Sequence, residues 1–173
     1  AISFTSYELP EIKVLDFTSE GIDCHQILSV ISSDPWLHNG GIIAIVNKQS
    51  DVQEIEMKKD PNILIVQTLP AFCNDFSRII RMLWSNQQFL FNRGMQEQLH
   101  GSESGSFICE NDPRDIRMYA SFLVNYLYST NRVSYDDRFG LQTALMELLT
   151  NALEHGNCDI SFTEKTAWLF SGR

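Results

Sequence analysis

Two runs of the chain are apolar at consecutive positions rather than at alternate ones: Ile42-Ile43-Ala44-Ile45-Val46, and the run from Asn62 to Gln67. A strand without a polar face fits a parallel sheet covered on both sides. Ahead of them lie two shorter β-type runs, residues 1–7 and 12–17, separated by Pro10. The intervening stretches have helical periods. Residues 21–33 place Ile22, Ile27, Leu28 and Ile31 on one side, and Asp34-Pro35 closes that helix before Gly40-Gly41 leads into the first apolar strand. A helix-like piece covers 51–59, and a long amphipathic helix over 72–91 is built on Phe76, Ile79, Ile80, Leu83 and Trp84. Strand alternating with helix predicts an α/β, doubly wound parallel-sheet layer.

From 92 to 105 the pattern lapses into a polar stretch punctuated by Gly94, Gly101, Ser102, Ser104 and Gly105, which reads as a linker, although 95–99 can extend the preceding helix. Residues 106–109 then read as a short strand. Asp112-Pro113 starts a helix with an N-cap and a proline at its first position, and Ile116, Tyr119, Ala120, Phe122, Leu123, Tyr126 and Leu127 give it a broad buried face. A 129–131 turn precedes another helix, for which Ser134 is the N-cap and Asp137 supplies acidic charge in the first turn. Leu141, Leu145, Leu148, Leu149 and Ala152 form its apolar stripe, and Gly156 is the expected terminator. Residues 158–162 suit a strand. Residues 163–173 have no clear assignment, with Trp168, Leu169 and Phe170 available to pack back onto the domain.

At 100° per residue, Glu147, Asn151, Glu154 and His155 fall on a polar strip beside that stripe. A carboxylate on such an edge can take a proton or orient water. An asparagine amide oxygen is a hard neutral ligand suited to magnesium, which keeps waters and phosphate oxygens as its other ligands. On spacing alone, the alternative is a helix with a solvated polar edge.

The wording Glu147-Leu148-Leu149-Thr150-Asn151-Ala152-Leu153-Glu154-His155-Gly156-Asn157 resembles the Glu-x-x-x-Asn N-box of the histidine-kinase-like (GHKL) ATPase superfamily. Its Glu-His-Gly-Asn ending is most similar to the anti-sigma-factor serine/threonine kinase branch. The resemblance implies Glu147 as general base or water-orienting carboxylate and Asn151 as the ligand of magnesium on ATP. Glu154 and His155 would lie near the nucleotide. The order strand, helix, N-box helix over 106–160 is how a GHKL α/β sandwich opens. The Asp-x-Gly-x-Gly box and Gly-rich lid do not occur, so the sequence reads as a truncated piece of an ATP-binding parent and is expected to be inactive as it stands. The start at Ala1-Ile2 suggests processing or excision.

A second resemblance lies upstream. Val14-Leu15-Asp16-Phe17-Thr18-Ser19-Glu20-Gly21-Ile22-Asp23, continuing through Ser33-Asp34-Pro35-Trp36-Leu37, is similar to the middle of a response-regulator receiver domain, with Asp16 at the phosphoacceptor position. The family's hydroxyl residue falls at Val46 and its lysine at Leu69, before Pro70. Its first-strand acidic pair should lie tens of residues before Asp16, where only fifteen residues precede it. The resemblance is therefore to a degenerate receiver, with Asp16 a vestige rather than a working acceptor. The expected organisation is a pseudo-receiver over 1–91, a linker over 92–105 and the N-terminal part of a GHKL domain over 106–173. This describes a bacterial signal-transduction regulator whose parent is a protein kinase. The alternative is a non-catalytic docking or dimerisation module of a two-component-type pathway. A histidine kinase proper fits less well, because no H-box helix pair precedes the N-box.

Composition narrows the partners. Hydrophobic residues at 43% supply enough apolar side chains for real cores in one medium domain or two small ones. A net charge of −9 argues against nucleic-acid or anionic-membrane partners, leaving a protein substrate or partner. Cys24, Cys73, Cys109 and Cys158 form no C-x-x-C pair and read as reduced thiols of a cytoplasmic protein. No apolar run approaches the roughly 18 residues of a membrane helix. His25, His38 and His100 are too scattered for a metal site, and no G-x-x-x-x-G-K-[ST] or G-x-S-x-G motif occurs. The aromatic cluster over 119–128 reads as core rather than as a base-stacking platform. Trp84 and residues 89–91 are the apolar surplus from which a homodimer seam can be built.

Overall fold

The computed structural model describes residues 1–38, 40–87 and 106–171. It is a mixed α/β structure with a small three-stranded parallel sheet and, among the described residues, seven α-helices. The strands are β1 (Ile12–Asp16), β2 (Gly41–Val46) and β3 (Ile63–Thr68), in the spatial order β1-β2-β3. The helices are α1 (Ile2–Glu8), α2 (Cys24–Ser33), α3 (Gln49–Met57), α4 (Leu69–Ser85), α5 (Pro113–Ser129), α6 (Tyr135–Asn151) and α7 (Phe162–Phe170).

β2 is buried along its whole length, as its uninterrupted apolar run requires, and its alternate residues feed two cores. Ile42, Ala44 and Val46 join Ile27, Leu28 and Ile31 of α2 and Val52 and Ile55 of α3. Ile43 faces the other way, into a core with Ile79, Met82 and Leu83 of α4 and Met118, Tyr119 and Phe122 of α5. Between the pairs Ile42–Ile63 and Ile43–Ile65, β3 carries one extra residue, Leu64. This bulge turns both Leu64 and Ile65 into the second core. Gly40 makes the entry to β2 possible. Its φ is +75°, and a Cβ there would sit 1.9 Å from the carbonyl oxygen of Glu11.

α5 belongs to the packing of this sheet. Asp112 caps it by accepting from the Arg114 amide (2.8 Å), and Arg78 of α4 binds both Asp112 and the buried Asp115. Asn125 donates to the carbonyls of Ile63 and Leu64, and Asn86 donates to the Tyr119 hydroxyl. The expected linker, 92–105, lies outside the described residues, as do the aromatic positions 89–91; the helix after the linker shares a core with α4 and β3.

Three expected strands are not formed. Residues 1–7 are largely helix α1, in which the Thr5 and Ser6 hydroxyls donate to carbonyls four residues back and Leu9 ends the helix with φ 43°. Only Thr5 is buried on it, so no sheet face claims the Ile2/Phe4 alternation. Residues 106–109 are not a strand; Phe107 packs edge-on against Tyr119 and Phe122, and the Ile108 carbonyl accepts from the Tyr119 hydroxyl. Residues 158–162 give way to α7, whose N-terminus is closed by a reciprocal Ser161–Glu164 capping box. No helix among the described residues is long and apolar enough to cross a membrane.

Candidate functional site

α6 starts as its sequence dictates, with the Ser134 hydroxyl accepting from the Asp137 amide (3.1 Å) and Asp136 and Asp137 in the first turn. It is held to the rest of the molecule at its N-terminal half. Arg138 pairs with Glu56 of α3 and lies over the Tyr128 ring, and Gln142 donates to Ser121 of α5. Glu147 and Asn151 follow on one edge a turn apart, both exposed, with side chains engaged in no hydrogen bond or ion pair among the described residues. The apolar stripe beside them is only partly covered, with Leu141, Leu145 and Leu149 half-buried. No α6 residue is buried, and Leu148 is 66% exposed.

The four-residue strip expected from α-helical spacing stops at Asn151. Over Ala152–Asn157 the chain widens into a π-turn, so the i+7 and i+8 positions no longer continue the line of Glu147 and Asn151. Glu154 and His155 are spent locally instead. The Glu154 carboxylate accepts from Lys165 of α7, and its carbonyl accepts from the Ile160 amide. His155 Nδ1 meets the Ile160 carbonyl; because a carbonyl only accepts, Nδ1 carries the proton. Gly156 does not terminate the helix in a left-handed conformation. That role falls to Asp159, with φ 54°.

Asp16 ends β1 at the carboxyl edge of the sheet, as expected, but one of its carboxylate oxygens is taken up locally. Oδ1 accepts from both the Thr18 amide (2.9 Å) and the Thr18 hydroxyl (2.6 Å), closing a turn on itself. Its carbonyl accepts from the Cys24 thiol, whose pKa is raised first by burial and then by the charges of Asp16 and Asp23. Val46, one of the two positions where a phosphoryl-binding group was expected, is buried at the end of β2; the other, Leu69, opens α4. Asp16 is on the outer strand β1, whereas α6 is tied to α3 and α5 beside β3, so the two candidate sites are not brought together.

A further feature was not singled out from sequence. A cavity of about 640 Å³ lies against β3, bounded by α3, α5 and α6. Leu64, Ile65, Val66 and Gln67 all border it, and the Gln67 Oε1 is buried without a hydrogen-bond partner. The signal was present in the sequence as a polar residue closing an otherwise apolar strand. Glu147, Asn151, Glu154 and His155 do not line this cavity. Among the described residues, no three His, Cys, Asp or Glu side chains gather as a metal site. The candidate edge of α6 offers one carboxylate and one amide oxygen, Glu147 and Asn151. Such a pair suits a magnesium ion that keeps phosphate oxygens and water as its other ligands.

The chain matches no family model, no curated protein and no solved structure.

Proposed function

We propose that α6 is the nucleotide-facing helix of a GHKL-type, ATP-binding protein kinase of the anti-sigma-factor kind, and that the parallel sheet is a degenerate receiver attached to it. The supporting observation is the Glu-x-x-x-Asn pair itself: Glu147 and Asn151 project from one edge of α6 without internal partners. The Asn151 amide oxygen would hold a magnesium ion, and Glu147 would accept the proton of a serine or threonine hydroxyl on a partner protein. Bound magnesium-ATP supplies the transferable phosphoryl group. Transfer then rests on positioning and charge neutralisation. Glu154 and His155 act one step back: their contacts with Lys165 and Ile160 fix the π-turn and α7 behind the site. Calorimetric titration of the intact protein with magnesium-ATP tests the reading. Saturable binding that disappears in Asn151→Ala supports it, and binding indifferent to that change removes it.

A second reading, a docking or dimerisation module without turnover, is favoured by one observation on the receiver-like part. One carboxylate oxygen of Asp16 is taken by Thr18, and Val46 and Leu69 offer no group to hold a phosphoryl oxygen. An acyl phosphate there would have little to stabilise it. Beryllofluoride is therefore expected not to bind Asp16. Stoichiometric binding that Asp16→Asn removes would restore the switch.

A further inference from the structure

The outer edge of β3 is a strand edge with a cavity beside it. Among the described residues, β3 is the terminal strand of the order β1-β2-β3 and pairs only with β2. The cavity beside it touches Ile65, Val66 and Gln67 in succession. Successive strand side chains point to opposite faces, so a space that touches three in a row runs along the edge rather than over a face. α3 forms one wall, and α5 with α6 forms the other. The lower end of the edge is already answered by a side chain, since Asn125 donates to the carbonyls of Ile63 and Leu64 at 3.5 and 3.3 Å. Further along, the buried Gln67 Oε1 is an acceptor with no donor. An unsatisfied buried acceptor is costly, and an amide N–H entering the cavity would relieve it.

Charge on the walls selects the occupant. Glu56 and Arg138 neutralise each other. Arg114 and Arg117 lie three residues apart on the α5 wall and are both exposed. Arg114 has only its own cap, Asp112, at 3.6 Å, and Arg117 has no ion-pair partner among the described residues. Asp75 and Asp136 also border the cavity, leaving it balanced in sum but with the two arginines adjacent on one wall. We propose that the outer edge of β3 is a docking groove for an extended segment of a partner protein, which adds as a fourth strand and directs an acidic side chain to Arg114 and Arg117. Main-chain hydrogen bonds supply the affinity, and the arginines supply the choice of sequence. The proposal is independent of the nucleotide reading, because none of the residues assigned to ATP or magnesium line the groove.

The test uses an acetylated, fluorescently labelled hexapeptide of alternating threonine and valine with one central glutamate, followed by anisotropy. Two control peptides carry lysine in place of the glutamate, or N-methyl groups on alternate amides. The glutamate peptide is expected to bind and to slow hydrogen exchange at the Val66 amide, which the β2–β3 register points away from β2. The N-methylated peptide is expected not to bind, and the lysine peptide and the exposed-site variant Arg117→Glu are each expected to weaken binding by about tenfold or more. Failure of the glutamate peptide to bind, equal binding of the N-methylated peptide, or equal binding to Arg117→Glu would each overturn the proposal. So would a concentration-dependent dimer that protects the β3 amides without peptide, since the edge would then belong to a second copy of the chain.

Discussion

α5 and α6 are both 17-residue helices, each opened by a side-chain cap, Asp112 and Ser134, and each with apolar residues at helical spacing. Yet α5 buries eleven residues and α6 none. The capping chemistry and the period are alike; the surroundings are not. α5 lies against β3 and α4, where Asn125, Asp115 and Tyr119 each find a partner, whereas α6 is anchored by Arg138 and Gln142 and leaves Leu148 outside. α7 repeats the contrast, with a complete capping box but Trp168, Leu169 and Phe170 exposed. Local sequence therefore determines where a helix starts and which side is apolar, while tertiary neighbours determine whether that side is worth anything to stability.

The contrast is tested most severely by truncating one apolar side chain in each region. Ile79, fully buried beneath α5, is expected to cost about 2–5 kcal/mol as Ile79→Ala. The matching change on α6, Leu148→Ala, should stay within about 0.5 kcal/mol. Urea unfolding measures both, and equal losses would mean that α6 is packed in solution. Next in size is Gly40→Ala, which forces a Cβ into the Glu11 carbonyl and demands a left-handed backbone; about 1–3 kcal/mol is expected in the same assay.

The caps sharpen the comparison further. Ser134→Ala should cost α6 about 1 kcal/mol of helix stability, visible as faster amide exchange over 135–140 with little movement of the global urea midpoint. Asp112→Ala should instead move the global midpoint, because α5 unfolds with the core.

The smallest effect is a pH dependence. The Asp112 pKa is lowered from its ordinary 3.8, first by the Arg114 amide and then by Arg78. A group whose folded pKa is depressed contributes stability above its unfolded pKa, and that contribution is lost as pH falls through the folded value. The wild-type urea midpoint should therefore fall below about pH 4, and Asp112→Asn should show a shallower fall over the same window. Glu164, lowered by the Ser161 hydroxyl and then its amide, has the same sign, but its effect should be confined to exchange within α7.

The fold was legible in sequence where a pattern leaves few options. The runs at 42–46 and 62–67 fit strands covered on both faces, and β2 and β3 are those strands. α5 and α6 announce their first residues through Asp112-Pro113 and Ser134. What stayed hidden depends on pairing or on an uncommon backbone. A short β-type run such as 1–7 is a strand only if a neighbour accepts its edge, and hydroxyl-to-carbonyl bonds made it a helix instead. The bulge at Leu64 and the π-turn after Asn151 leave no compositional mark. The π-turn is the reason Glu154 and His155 leave the line on which Glu147 and Asn151 remain. Helical spacing therefore placed Glu147 and Asn151 on one edge but could not place Glu154 and His155.

The central claim is that Glu147 and Asn151, free on α6, hold magnesium-ATP in the intact protein, and calorimetry on paired variants is its most direct test. One-to-one binding that is lost in Asn151→Ala and kept in Leu148→Ala is the predicted result; no binding to the intact protein, or binding that survives Asn151→Ala, would contradict it.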